Sequence, residues 1–149
     1  MLPGSLEALR LLSEAGYRVL VLTNQACVGR GEVSMKTLEA IHNRLRQETA
    51  TAGGKIDGFF ICTHVPSDKC YCRKPKPGLI IQAQQKWGFD PTLTYFVGDD
   101  RRDMEAAMAA NCKPVLVLTG KGRVTRKFLP TIPVFADLLA FVKTITKLF

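Results

Sequence analysis

Tyr17-Arg18-Val19-Leu20-Val21-Leu22, followed at once by Thr23-Asn24-Gln25, is the stretch that decides the fold. A near-continuous apolar run that ends in small polar residues reads as a buried strand of a parallel sheet. Its flanks agree. Upstream, Pro3-Gly4-Ser5 leads into Leu6, Leu9 and Leu12 at helical spacing, and Gly16 stops that helix. Downstream comes a loop containing Gly29 and Gly31. Ser34 then caps a second helix that carries Met35, Leu38, Ile41 and Leu45 on one face and breaks at Gly53-Gly54.

The alternation continues to the end of the chain. Phe59-Phe60-Ile61 reads as a short strand. Pro77-Gly78 opens a helix through Leu79, Ile80, Ala83 and Trp87 that Gly88 closes. Tyr95-Phe96-Val97 is a strand, Met104 to Asn111 a helix, and Val115-Leu116-Val117-Leu118 a further strand. A last helix runs from Asp137 to Phe149, with Leu138, Val142 and Ile145 on one side. Strand and helix in alternation predict an α/β fold, a Rossmann-like parallel sheet with right-handed crossovers. At 149 residues, without repeat or linker, one domain over 1–149 is expected. Ligands of such sheets bind beyond the carboxyl ends of the strands. Thr23, the run beginning at Cys62, and Asp99 all fall at such ends.

Composition narrows the class. A hydrophobic fraction of 46% and a charged fraction of 23% are those of a globular protein. No apolar stretch approaches the roughly 20 residues that span a bilayer, and Met1-Leu2-Pro3-Gly4 has no signal-peptide pattern. A cytoplasmic protein without a membrane partner is expected. The net charge of +8 favours anionic partners such as phosphorylated metabolites. A zinc-ribbon nucleic-acid binder fits poorly, because no basic-aromatic stripe accompanies the cysteines, so no nucleic-acid partner is expected.

Three clusters carry chemistry. Cys62, His64, Cys70 and Cys72 offer four nitrogen and sulfur ligands within one short run. Zinc takes four such ligands in a tetrahedron, and a site with no open position is structural. Cys27 and Cys112 read as buried structural residues. Arg73-Lys74 follows the last ligand at once: arginine grips a phosphate at two points, and lysine offers a compact charge. Read alone, the pair is a solvated basic dipeptide before Pro75.

Thr23-Asn24-Gln25 can hold phosphate oxygens through a hydroxyl and backbone N–H groups, or form a simple polar turn. Asp99, Asp100 and Asp103 after the next strand suit Mg²⁺, which prefers oxygen ligands. They equally suit the start of a helix, where negative charge is favoured. His42 is read as a surface or packing residue and Trp87 as core.

Taken together, these residues resemble the haloacid dehalogenase superfamily of phosphohydrolases, and within it the zinc-containing heptose 1,7-bisphosphate phosphatases. The resemblance runs from Pro3-Gly4 to Gly120-Lys121-Gly122. It is carried by Thr23-Asn24-Gln25 with Gly29-Arg30-Gly31, the Cys62/His64/Cys70/Cys72 set, Arg73-Lys74-Pro75 and Gly98-Asp99. It implies Mg²⁺-dependent removal of the 7-phosphate, a step toward nucleotide-activated heptose for lipopolysaccharide. Thr23 and Lys74 would then stabilise the transferring phosphoryl group. Asn24, Gln25, Ala26, Arg73, Lys74 and Asp100 would meet the substrate, and Asp99 would ligate Mg²⁺. Cys62, His64, Cys70 and Cys72 would hold structural Zn²⁺. Ala26-Cys27 departs from the more usual Ser-Gly, and an acid at Asp100 is a further departure. Histidinol-phosphate phosphatase is the neighbouring enzyme reading. The expected state is a monomer with a small phosphorylated sugar as its partner.

The family's nucleophile and general acid lie in an Asp-x-Asp motif on the first, central strand, ahead of the Pro-Gly that corresponds to Pro3-Gly4. These 149 residues contain no Asp-x-Asp. In the family mechanism the first Asp attacks phosphorus and forms an aspartyl-phosphate, and the second protonates the leaving oxygen. Asp99, on a different strand, does not replace it. The expectation is an N-terminally truncated phosphatase domain lacking its central strand, with the strands ending at Thr23 and Asp99 left with open edges. Unsatisfied backbone groups cost about 1–3 kcal/mol each against a total stability of about 5–15 kcal/mol, so poor folding of this chain alone is expected. A catalytically inactive zinc-binding remnant is the reading of a different class.

Overall fold

The computed structural model describes residues 3–147. Its elements run α1 Ser5–Glu14, β1 Leu20–Asn24, α2 Ala26–Gly29, α3 Met35–Thr51, β2 Gly58–Cys62, α4 Gly78–Trp87, β3 Tyr95–Gly98, α5 Arg101–Ala109, β4 Lys113–Val117, α6 Gly122–Arg126, β5 Val134–Phe135 and α7 Leu138–Thr146. Single 3-10 turns at Pro66–Asp68 and Pro91–Leu93 complete the order. The α/β alternation is as expected. The last two positions of the expected terminal helix, 148–149, lie outside the described residues.

The chain divides into two compact units: residues up to Lys69 with those from Val142 onward, and Cys70–Phe141. In the first, β1 and β2 pair in parallel, with Leu20 beside Gly58 and Asn24 beside Cys62. In the second, β4 lies between β3 and β5, all parallel, with Val97 beside Val115 and Leu116 beside Val134. Among the described residues these are two separate sheets.

β1 differs from expectation in both position and burial. It starts at Leu20 rather than Tyr17 and is half-buried along its length. Tyr17 and Arg18 are exposed. The Val19 N–H donates to the Asp57 carboxylate at 2.8 Å, and Val19 O accepts from Asp57 N–H at 2.8 Å, so this side-chain clasp precedes the ladder. With one hydrogen-bonded neighbour among the described residues, β1 is an edge strand, and edges keep part of their surface in solvent.

The helix starts are set by capping. Ser34 Oγ accepts from Thr37 N–H at 3.1 Å, a bond worth about 1 kcal/mol, and α3 begins at the next residue as expected. Its buried face is Leu38, His42 and Thr49, with Leu45 half-buried; Met35 and Ile41 of the expected face are exposed. Positions 38, 42, 45 and 49 follow the 3.6-residue period, which leaves Ile41 off the stripe. His42 belongs to it because its ring stacks on Phe59, centroids 4.2 Å apart and planes 9° from parallel.

Helix α5 starts at Arg101, three residues before the expected Met104, because Asp100 is its N-cap and Asp103 closes a capping box. The short helices α2 and α6 were not expected; α2 occupies part of the loop read around Gly29 and Gly31. The second unit's core gathers Met104, Leu116 and Ile132 against Phe96, Leu129 and Val134. Leu116 and Met104 are fully buried, and each such side chain contributes about 1.5–3 kcal/mol. This core fixes the end of β3, where the acids lie, against the start of α5.

Candidate active site

The first unit presents the Thr23 cluster. Gln25 N–H donates to Cys62 O at 2.7 Å, which ties the chain leaving β1 to the end of β2. Gln25 then turns back, and its Nε2 donates to Thr23 Oγ1 at 3.1 Å. The Thr23 hydroxyl donates its own hydrogen weakly, to Asn24 O at 3.5 Å. Ala26 is the first residue of α2, and the Cys27 thiol donates to Gln25 Oε1 at 3.6 Å. Gly29 is required by close approach: a Cβ there would lie 2.3 Å from Thr63 O. The structure thus brings Thr23, Gln25 and Cys27 into one chain of hydrogen bonds, with the residue after Cys62 packed against it.

The loop at 62–72 carries the metal-like run. Potential ligand atoms of Cys62, His64, Cys70 and Cys72 all lie within 4.8 Å of one another. Cys62 Sγ is 3.6 Å from His64 Nδ1. Zinc–sulfur and zinc–nitrogen bonds near 2.3 and 2.0 Å place tetrahedral ligands about 3.5 Å apart, so the donor set and this spacing fit zinc. Cys62 and Cys72 are buried, Cys70 is half-buried and His64 exposed. Lys76 Nζ donates to Cys70 O at 2.6 Å.

Gly78 lies against this loop: a Cβ there would meet Tyr71 O at 2.3 Å and Cys72 Cα at 2.7 Å. Of the remaining cysteines, Cys112 is buried, and burial pushes its thiol above the ordinary value. Cys27 is half-buried.

In the second unit the acids separate into three environments. Lys74 Nζ lies 2.6 Å from Asp103 Oδ1, with the side chains 14% and 11% exposed. Asp103 Oδ2 also accepts from Asp100 N–H at 3.3 Å. The Asp103 carboxylate sits directly over Gly98, where a Cβ would be 2.5 Å from Oδ2. Glycine before Asp99 is therefore the space that admits Asp103. Asp100 accepts from the Arg102 backbone N–H at 2.9 Å and from its guanidinium at 3.3 and 3.0 Å; Lys121 Nζ lies 3.3 Å away. The Arg102 guanidinium holds the Asp100 carboxyl far below the usual carboxylate range.

Asp99 differs from both. Its Oδ2 accepts from Lys121 N–H at 2.9 Å. Among the described residues no cation pairs with it, whereas Asp103 holds Lys74 and Asp100 holds Arg102 and Lys121. A half-buried carboxylate with one oxygen anchored by a neutral donor and no cation beside it is the donor chemistry that a hard divalent ion takes. The structure thus separates acids that looked alike in sequence. Asp103 was read only as one more acid. Its spacing three residues after Asp100, in the pattern of a capping box, was the available signal.

Arg73 and Lys74 are both half-buried, and Asn24 is the last residue of β1. No helix among the described residues is long and apolar enough to cross a membrane.

Comparisons with known proteins place the chain in a family. A family model described as HAD-hydrolase-like matches residues 71–140. The chain is 46% identical over 142 residues to D-glycero-beta-D-manno-heptose-1,7-bisphosphate 7-phosphatase of Pseudomonas aeruginosa, covering 95% of this chain and 80% of that protein. The enzyme of the same name from Pseudomonas putida is 43% identical over 144 residues, covering 95% of this chain and 82% of that one. Among solved structures, D,D-heptose 1,7-bisphosphate phosphatase from B. bronchiseptica, complexed with magnesium and phosphate, superimposes with a TM-score of 0.95 at 39% identity. That match covers 99% of this chain and 84% of the other.

Proposed function

Since the chain belongs to the haloacid-dehalogenase-like phosphatases, in the heptose 1,7-bisphosphate 7-phosphatase family, we propose that it serves the Mg²⁺-dependent hydrolysis of the 7-phosphate of D-glycero-β-D-manno-heptose 1,7-bisphosphate. Water is consumed, the phosphorus–oxygen bond at C7 breaks, and heptose 1-phosphate and inorganic phosphate leave. The reading rests on the 46% identity that runs over 95% of the chain. The largely buried Lys74–Asp103 pair, and Asp99, which among the described residues pairs with no cation, support it from this chain's own side chains. The product would feed nucleotide-activated heptose and lipopolysaccharide synthesis in the cytoplasm.

Each residue takes a role suited to its setting. Lys74, steered by Asp103, is suited to neutralise phosphoryl oxygens, and the Thr23 hydroxyl, once released from Asn24 O, is suited by the family resemblance to donate to a phosphoryl oxygen. Arg73, Asn24, Gln25 and the Ala26 backbone contact the sugar phosphate, with Asp100 at the rim. Asp99 holds Mg²⁺, which supplies positive charge to the phosphoryl group as it transfers. Cys62, His64, Cys70 and Cys72 would hold zinc, and that closed set of ligands would order the loop that precedes Arg73 and Lys74. The attacking carboxylate and its partner acid are not present as an Asp-x-Asp pair in these 149 residues. The residues named here therefore bind, orient and neutralise; in the family mechanism the covalent step belongs to such a pair.

Substrate profiling of the protein purified from its native host, with Mg²⁺ present, tests the reading. The expected outcome is preferred turnover of the β-bisphosphate. Preference for histidinol phosphate would replace it with the neighbouring activity. Phosphate binding without turnover of any substrate would mark an inactive remnant.

A further inference from the structure

The segment from Gly120 to Thr125 grips Asp99 at three points. Lys121 N–H donates to Asp99 Oδ2 at 2.9 Å. Thr125 Oγ1 donates to Asp99 O at 2.9 Å, so the backbone of the same residue is held as well. Gly120, at φ +56°, presses against the carboxylate: a Cβ there would fall 1.9 Å from Oδ2.

Thr125 is only 4% exposed. Its hydroxyl is also 3.1 Å from Lys121 O, the ordinary bond of a helical threonine to the residue four before it. A hydroxyl has one hydrogen, and the tertiary contact to Asp99 is the one that a helix by itself does not require. Lys121 works in two directions: its backbone holds Asp99 while its ammonium reaches Asp100 Oδ2 at 3.3 Å.

We propose that residues 120–125 form a positioning strap that orients the Asp99 carboxylate for a divalent cation, with Gly120 and Thr125 as its determining residues. The proposal rests on the reading of Asp99 as the Mg²⁺ ligand. Its physical content is preorganisation. A carboxylate that must rotate before binding loses part of its affinity, and groups that fix metal ligands from behind are worth about 10–100-fold in affinity. Lys121 N–H anchors one oxygen and leaves the other for the ion. The Thr125 bond stops the Asp99 peptide from turning, and Gly120 lets the chain come close enough for both. A side chain at 120 would push the carboxylate off the Lys121 N–H.

The test is Mn²⁺ binding to the full-length enzyme without substrate, followed by electron paramagnetic resonance, for Thr125→Val, Thr125→Ser, Gly120→Ala and Asp99→Asn. Thermal melts accompany each variant. Thr125→Val and Gly120→Ala are expected to weaken Mn²⁺ binding about tenfold or more, and Thr125→Ser to retain it. At saturating Mg²⁺ the KM for the sugar bisphosphate should stay unchanged in Thr125→Val. Should Thr125→Val not fold, Thr125→Ala provides the same comparison with Thr125→Ser. Wild-type binding in folded Thr125→Val and Gly120→Ala, with binding lost in Asp99→Asn, overturns the strap and leaves the ligand reading standing. Wild-type binding in Asp99→Asn removes the ligand reading and the strap with it.

Discussion

Lys74 Nζ stands 2.6 Å from Asp103 Oδ1, and neither side chain is more than 14% exposed. A lysine in this position cannot swing freely to whatever phosphate arrives; its direction is set by an acid that is itself built into the cap of α5. Asp103 in turn fits only because residue 98 has no side chain. Thus Gly98, the capping box and Lys74 hold one another in place.

Breaking that pair has two consequences. Asp103→Asn removes the carboxylate charge that faces Lys74 in a nearly buried place, a loss of up to about 3–5 kcal/mol in stability. Lys74→Met is expected to lower kcat by at least about 10²-fold, the scale of losing one electrostatic contact to a transferring group. Melting temperature and steady-state kinetics on the two variants are read together: both lower the melting temperature, since each breaks the same nearly buried ion pair, and Lys74→Met carries the larger loss in kcat.

Gly98→Ala puts a methyl group 2.5 Å from the Asp103 carboxylate. Either the carboxylate or the β3–α5 turn must shift, at a cost of about 1–3 kcal/mol. The same substitution at Gly31, where no atom lies within 4 Å of the new Cβ, meets only its left-handed backbone. Parallel denaturation curves should therefore show a lowered kcat with lowered stability for Gly98→Ala, and lowered stability alone for Gly31→Ala.

Metal removal is expected to act through folding. Zinc held by closed four-ligand sites contributes folding energy directly. Elemental analysis of purified protein should give one zinc per chain. Cys62→Ser or Cys72→Ser should lower both zinc content and melting temperature, as should prolonged chelation, whereas Cys112→Ser, outside the cluster, should leave zinc content unchanged. A chain free of zinc that melts at the same temperature as the loaded one would contradict a structural role.

His42 gives the fold a pH dependence. Burial against Phe59, and secondly the charge of Arg46, holds its imidazole below the ordinary 6.5. The unfolded chain therefore binds the proton more tightly. Stability is full above the unfolded value and falls as pH drops through it toward the lower native value. His42→Phe retains a stacked ring without the titration. Its stability should vary less than the wild type's between about pH 7 and 5; identical slopes would contradict this assignment.

Much of the molecule was legible in the chain. Ser34 and Gly88 marked a helix start and a helix end through capping chemistry that local sequence encodes. The Cys62 run marked its loop because zinc-like spacing is short-range. What failed had longer-range causes. Ile41 looked like core, but Phe59, from another element, selected His42 for the buried stripe. Tyr17 looked like strand, but the Asp57 side chain ends the ladder at Leu20. Asp99, Asp100 and Asp103 looked equivalent until Lys74, Arg102 and Lys121, distant or local in sequence, assigned two of them to cations and left Asp99 with none among the described residues. The turn at 120–125 carried no motif, since its contribution is mainly backbone geometry and one hydroxyl.

The most direct test of the whole account is ³¹P NMR of D-glycero-β-D-manno-heptose 1,7-bisphosphate incubated with the full-length enzyme and Mg²⁺. The account predicts loss of the C7 phosphate resonance, growth of inorganic phosphate and persistence of the C1 phosphate, with the reaction lost in Asp99→Asn and in Lys74→Met. Release of the C1 phosphate instead, or wild-type rates in both variants, would contradict it.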